Sequence, residues 1–286
     1  MWLGAVYLIA LVFFSFAVPA MRSAALRPPD VTDFDAVTAI VDRPFLEMGG
    51  RYPLGTDELG RDVLARLAQG GRTSLIIGLT VQAIALILGL LVGTIGVYAP
   101  KWIREPTMRL TDAMFAFPDI LLGMLLIGAF SSATVGNPAL RAIVEQGTIP
   151  VIAALACTAW PSLSRLVRGQ IASLKDREYV VAAKASGAST FYIVTRHVLP
   201  QIWGIMLAVS MVELAGTILA EATLSFLGIG IRPPNPSWGG MLNIARQNMQ
   251  AHPIMLLPPA IMLSVSIFAL NFVGDGLRAK LDPKNR

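Results

Sequence analysis

The chain has 286 residues, of which 55% are hydrophobic and only 14% charged, against about 25% charged in ordinary soluble domains; its mean hydropathy is +0.63. That composition nearly excludes a water-soluble enzyme and describes a polytopic helical membrane protein. The formal charge of +5 comes from 23 Lys and Arg scattered through loops, with no basic stripe interleaved with aromatics, so nucleic acid is not an expected partner.

In chain order, six apolar stretches are predicted to span: Trp2 to Ala20, Thr73 to Tyr98, Ala113 to Phe130, Ile149 to Val167, Ile202 to Ala222 and Ile254 to Val273. Each is long enough for a hydrocarbon core of about 30 Å at about 1.5 Å per residue. The first also has small residues near Ala20 and Ala25 that outline a signal-peptide cleavage site. No Lys or Arg precedes it and further spans follow, so it is read as a retained anchor. Between the first two spans, residues 21–72 carry 7 basic and 8 acidic side chains. Arg27 to Asp35 reads as extended loop. Leu59, Val63, Leu64 and Leu67 fall at helical spacing and predict a short amphipathic helix over 57–67, near the outer membrane face.

Within the spans, Gly89, Gly93 and Gly96 form a stripe that permits close helix approach. Pro118, Pro150, Pro161, Pro258 and Pro259 remove backbone donors and can kink a helix, either as hinges for alternating access or simply as shapers of packing. Cys157, the single cysteine, is expected to be a buried, inert thiol. His197 and His252 are 55 positions apart with no second ligand type nearby, so no metal site is expected.

Lys175 to Pro200 is expected to form two short helices. Asp176 is placed to cap the first, Glu178 sits in its opening turn, and Gly187 supplies a left-handed residue to end it. Ser189 or Thr190 starts the second, and Pro200 marks its end. Val180, Ala183 and Lys184 fall on one side of the first helix. Ala182 and Ala183 lack bulk, which suits either close approach by another protein or folding back on the chain's own loops.

Glu213 lies about twelve residues into the fifth span, roughly 17 Å along it. An ionised group there costs about 2.5 to 3.5 kcal/mol, which the span's eight Leu, Ile and Val nearly offset at about 0.3 to 0.6 each. This helix should therefore face protein or water. Two roles are open to Glu213, and to Glu221 toward the outer end: lining a translocation cavity and meeting a charged amine, or a protonated or hydrogen-bonded helix contact. No Gly-x-x-x-x-Gly-Lys-[Ser/Thr] phosphate loop occurs, so no catalytic residue is assigned and nucleotide chemistry belongs to another polypeptide. Loops 99–112, 165–201 and 274–286 carry 13 Lys and Arg against 3 in 131–148 and 223–253. The positive-inside bias puts the first set, and both termini, in the cytoplasm.

Ala182-Ala183, Gly187 and Leu199-Pro200 resemble the cytoplasmic EAA loop of ABC importer permeases, with Val181 where that motif has Glu, Glu178 one turn earlier, and His197 where an aliphatic is common. Pro53 to Asp62, Leu224 to Gly230, Pro233 to Gly239, Asn271 to Arg278 and Leu281-Asp-Pro283 are similar, in family order, to the C-type permease subunit of dipeptide and oligopeptide importers. The resemblance implies an all-α, six-helix type I importer permease in the bacterial inner membrane. Its parts would be a first helix over 1–20, an external segment over 21–72, a permease core over 73–275 with a coupling loop at about 168–200, and a cytoplasmic tail over 276–286. It further implies a homologous second permease, two cytoplasmic ATPases that carry ATP and Mg, an external solute-binding protein, and docking of the ATPases on Glu178, Ala182, Ala183, Gly187, His197, Leu199 and Pro200. Beyond lipid, this chain itself is expected to hold no cofactor or metal. Glutathione and nickel chelates are alternative cargoes within the family. An ion-coupled secondary transporter using Glu213 and Glu221, and a membrane scaffold, are readings from other classes.

Overall fold

A computed structural model describes residues 1–29, 31–132, 144 and 147–281. Arg141 of the loop charge count, Asp282-Pro283 of the last motif and the rest of the 276–286 tail beyond Leu281 lie outside the described residues, as does Asp30. The described residues form helices joined by irregular segments, with two isolated bridges, Gly49 to Tyr52 and Thr56 to Asp62, as the extended pairing among them. Helix α1 is Trp2–Leu26, α2 Val63–Tyr98, α3 Lys101–Met114, α4 Asp119–Ser132, α5 Thr148–Leu174 and α6 Glu178–Ala185. A short turn over Thr190–Tyr192 and a π turn over Ile193–Val198 lead into α7, Leu199–Phe226; α8 is Trp238–Gln247, and a 3₁₀ turn over Pro253–Leu256 enters α9, Leu257–Leu281.

Five of these segments are long and apolar enough to cross a membrane, or six if the bent pair α3–α4 is one span. The pair corrects the single span expected over Ala113 to Phe130. Ala113 and Met114 close α3, and the chain turns by 100° before α4. Pro118 explains the break: it donates no hydrogen bond and drives Phe117 out of helical conformation, while its carbonyl accepts from Leu122 N at 3.0 Å to start α4.

A second correction concerns residues 57–67, which form no separate amphipathic helix. Asp57 Oδ1 accepts from the backbone N–H groups of Leu59 and Arg61 at 3.0 and 2.9 Å, which closes a turn instead. Asp62 then caps α2 by accepting from Ala65 N. Val63, Leu64 and Leu67 thereby become the first turns of a 36-residue helix. The preceding segment folds over the same end of the bundle. Ala36, Val37 and Tyr52 pack with Leu26 and Ala65, and Arg22 binds Asp62 at 2.6 Å while Arg61 and Arg66 both reach Asp57, at 2.7 and 3.1 Å.

The glycine stripe of α2 lies against α5, the most extensive helix pair in the bundle. A Cβ on Gly89 would stand 2.7 Å from Leu163 Cβ, and one on Gly93 2.7 Å from Val167 Cβ, so any larger residue forces the helices apart. One core cluster joins Leu11 of α1, Leu67 and Leu75 of α2, Leu214 and Ile218 of α7, Trp238 of α8 and Leu270 of α9. Helix α8 falls in what hydropathy marks as a plain loop. Ser237 caps it by accepting from Gly240 N, and the fully buried Trp238 donates its Nε1–H to the Leu67 carbonyl at 3.0 Å, clamping α8 onto α2.

Candidate functional site

Two features of the bundle bear on transport. The first is a cavity of about 220 Å³ between α4, α5 and α7, bordered by Met114 and Phe115 at the end of α3. Glu213 lines it, half-buried, and its Oε1 accepts from Ser162 Oγ at 2.5 Å. Thr217 fixes the same turn of α7 by donating to the Glu213 carbonyl at 3.0 Å. Pro161 also lines the cavity, one residue before Ser162, where its missing donor loosens the inner turn of α5.

Asp119 opens into this cavity too. Sequence reasoning passed over it, although it was an acid inside a predicted apolar span and therefore carried the same signal as Glu213. It stands in the first turn of α4, where the helix dipole favours a negative charge. Two carboxylates and the hydroxyls of Thr158, Ser162 and Thr217 thus share one chamber with mostly apolar neighbours. Such a site can receive a cationic or hydrogen-bonding group.

Glu221 is placed elsewhere, and of its two expected roles its geometry is that of a hydrogen-bonded helix contact. It is 0% exposed and lines none of this cavity. Ser74 Oγ of α2 donates to one carboxylate oxygen at 2.8 Å and Ser225 Oγ to the other at 2.8 Å; Ser225 in turn accepts from Ile231 N at 3.0 Å. Glu221 is therefore a fully engaged cross-link between α2, α7 and the start of the α7–α8 connection.

The second feature is an elbow at the opposite end of α7, made by α6 and the turns that follow. Val180, 3% exposed, anchors α6 in a cluster with Val167 and Ile171 of α5, Ile193 and Val198 of the π turn, and Ile202 and Met206 of α7. Ala183, Ala188 and Leu199 pack on its margin. Glu178, Ala182, Gly187 and Pro200 remain exposed, so of the sequence-assigned residues these four present an outward face, while Ala183 and Leu199 serve the anchor. His197 is half-buried, held edge-on to Tyr192 at 5.6 Å and tilted to Tyr179 at 6.3 Å. The anchoring role of Val180 with Ile193 and Val198 was missed, although apolar residues recurring around the loop were its visible signal.

The local chain path departs from expectation at two points. Arg177, with no side-chain hydrogen bond, occupies the cap position of α6 that Asp176 was expected to fill. Pro200 does not end the second helix: it sits in the first turn of α7, where a missing donor costs nothing, and the π turn before it widens the backbone so that Thr190 to Phe226 runs on for 37 residues. Glu178 in the first turn, Ser189 accepting from Tyr192 N at 3.2 Å, and Gly187 at φ +83° agree with the expected pattern.

An all-helical bundle with membrane-length spans, an acid-lined internal chamber and a firmly anchored elbow at one end defines a membrane transport subunit. Residues 85–286 match the family described as "Binding-protein-dependent transport system inner membrane component", and the chain belongs to that family. It is 36% identical to the oligopeptide transport system permease protein OppC of Haemophilus influenzae, over 84% of this chain and 72% of that one. It is 37% identical to the di/tripeptide transport system permease protein DppC of Pseudomonas aeruginosa, over 84% and 75%, and 36% identical to the glutathione transport system permease protein GsiD of Pectobacterium atrosepticum, over 81% and 72%. Among solved structures, the inward-facing MetNI methionine ABC transporter aligns with a TM-score of 0.60 at 18% identity, over 75% of this chain and 95% of that one. A histidine-bound amino acid ABC transporter aligns with a TM-score of 0.54 at 15% identity, over 76% and 93%. The fold is thus that of an ABC importer permease, a multi-pass inner-membrane subunit that is not itself an enzyme.

Proposed function

We propose that this chain forms half of the translocation pathway for di- and oligopeptides in an ATP-driven importer, beside a homologous second permease. An external solute-binding protein delivers the peptide, and two ATPases, which hold ATP and Mg, grip the elbow. The excess of Lys and Arg puts the elbow, α3 and both termini in the cytoplasm, and the folded segment over 27–62 outside. The observation that carries this reading is the elbow itself. Its exposed face of Glu178, Ala182 and Gly187 is free for a partner, while Val180 locks the same short helix to α5 and α7. A rigid-body displacement of α6 is therefore passed to α5 and α7, two of the helices that wall the Glu213 chamber.

In that chamber Glu213, with Asp119 across from it, meets the peptide's ammonium group, and Ser162 holds the Glu213 carboxylate in place. Reconstitution with the binding protein and the ATPases tests this reading with Glu213→Gln. Loss of a charge-assisted contact of about 1.5 to 3 kcal/mol predicts roughly 10- to 100-fold slower dipeptide uptake with the complex intact. Unchanged uptake of every peptide offered ends the role of Glu213. Uptake of glutathione in place of dipeptides reassigns the cargo, and uptake driven by an ion gradient without ATP ends the importer reading.

A further inference from the structure

At the elbow end of the bundle, α3 is bent by 100° from α4, and it is two-faced. Trp102 and Leu110 on one side are 75% and 57% exposed, with Pro106 exposed between them. Thr111, 3% exposed, seats the helix against the bundle. The remaining face carries Arg104, Glu105, Arg109 and Asp112, which wall a cavity of about 520 Å³ together with Arg168 and Lys175 at the foot of α5. Four basic groups thus face two acids. One of those acids is already engaged, since Asp112 Oδ1 accepts from Arg165 Nη2 at 3.0 Å. Among the described residues, the side chains of Arg104, Arg109 and Arg168 make no ion pair or hydrogen bond.

Three unpaired guanidiniums converging on one cavity bring a net positive field that wants a counter-anion, and Arg suits phosphate oxygens because its planar fork matches them. The flanking Trp102 and Leu110 decide where that phosphate comes from. An amphipathic helix turned sharply from the one that follows it, with a tryptophan and a leucine bare on one side and arginines on the other, has the form of a helix in the membrane interface. We propose that this cavity binds the phosphodiester headgroup of an anionic phospholipid, with Arg104, Arg109 and Arg168 as its ligands and Trp102 and Leu110 seated among the acyl chains beside it. The inner-leaflet location rests on the charge-based orientation given above; the site itself does not.

The test uses the full chain, purified with the subunits that accompany it and placed in phosphatidylcholine nanodiscs with or without phosphatidylglycerol. Native mass spectrometry reads the lipids retained. Wild type is expected to keep phosphatidylglycerol, and Arg104→Gln with Arg168→Gln to reduce retention by about fivefold for each charge removed. Trp102→Ala is expected to weaken retention without abolishing the preference for the anionic lipid. Equal retention by wild type and the double variant overturns the proposal. Loss of the ATPase subunits from the double variant, with lipid retained, gives this face to a protein partner and overturns it too. Saturation by millimolar inorganic phosphate in phosphatidylcholine alone, with no phosphatidylglycerol kept, assigns the cavity to a soluble phosphate and rejects the lipid. Nanodiscs have no inside, so orientation is read separately, in a Cys157→Ala background, from labelling of Ser173→Cys by a membrane-impermeant maleimide in intact cells. Labelling there would revise the leaflet and leave the site standing.

Discussion

Replacing Gly187 tests the elbow through backbone conformation alone. At φ +83° this residue turns the chain out of α6, and nothing lies within 4 Å of where a Cβ would stand. A substitution therefore adds no steric clash and leaves the Val180 anchor in place; what it adds is the cost of a left-handed L-residue, about 1 to 2 kcal/mol. Asn tolerates that region through local hydrogen bonding, and a β-branched side chain tolerates it least. At 1.4 kcal/mol for each factor of ten, the Ala variant should hold the native elbow roughly 5- to 30-fold less strongly against competing shapes. Coupled activity should fall in the order Gly, Asn, Ala, Val. The measurement is binding-protein-stimulated ATP hydrolysis and peptide uptake in proteoliposomes, normalised to the ATPases that co-purify. A Val variant that assembles at wild-type yield and transports normally would refute the reasoning, as would a series in which all three substitutions are equally inactive.

Other expectations concern stability. Ser74→Ala removes one of the hydroxyls on the buried Glu221 carboxylate, and it should lower the melting temperature in detergent by an amount matching about 1 to 2 kcal/mol; Ser74→Ala combined with Glu221→Gln should recover part of that loss, and no change in either variant would mean the cross-link is idle. Burial, and then the neighbouring Asp57 charge, raise the Glu58 carboxyl above its ordinary range, against the pull of Arg61. The folded protein therefore binds that proton more tightly than the unfolded chain. The resulting stability is full below the ordinary carboxyl value and is lost as pH rises through the raised one. Thermal melts across the acidic range should show this slope in wild type and a flatter one in Glu58→Gln; equal slopes would rule Glu58 out as the source.

Hydropathy located the membrane-length helices because the signal is summed over about twenty residues, and the family motifs placed the elbow. What stayed hidden depended on single residues acting against that sum. Pro118 breaks an apolar stretch that reads as one span, and in doing so brings Asp119 to the head of α4 and into the chamber. Trp238 docks α8 by one indole hydrogen bond to Leu67, a partner 171 positions away that no local pattern announces. The periodicity of Leu59, Val63, Leu64 and Leu67 was genuine from Val63 onward, but Asp57 and Asp62 offered side-chain acceptors that stop a helix from starting earlier. Glu213 and Glu221 are equivalent by sequence, two acids eight positions apart on one span; only their neighbours separate them, a chamber wall for one and buried serine hydroxyls for the other.

The unbroken run from Thr190 to Phe226 has a mechanical corollary. With the Ser74–Glu221 link as a fulcrum, the elbow end of this rod lies roughly 46 Å away along the axis and Glu213 only about 12 Å away. Tilting about that fulcrum gears motion down nearly fourfold, so a swing of about 4 Å at Thr190 arrives as about 1 Å at the Glu213 carboxylate. Large strokes at the far end and small, forceful ones beside the chamber are what a crowbar provides, and a short serine-to-glutamate contact deep in the bundle sets the ratio.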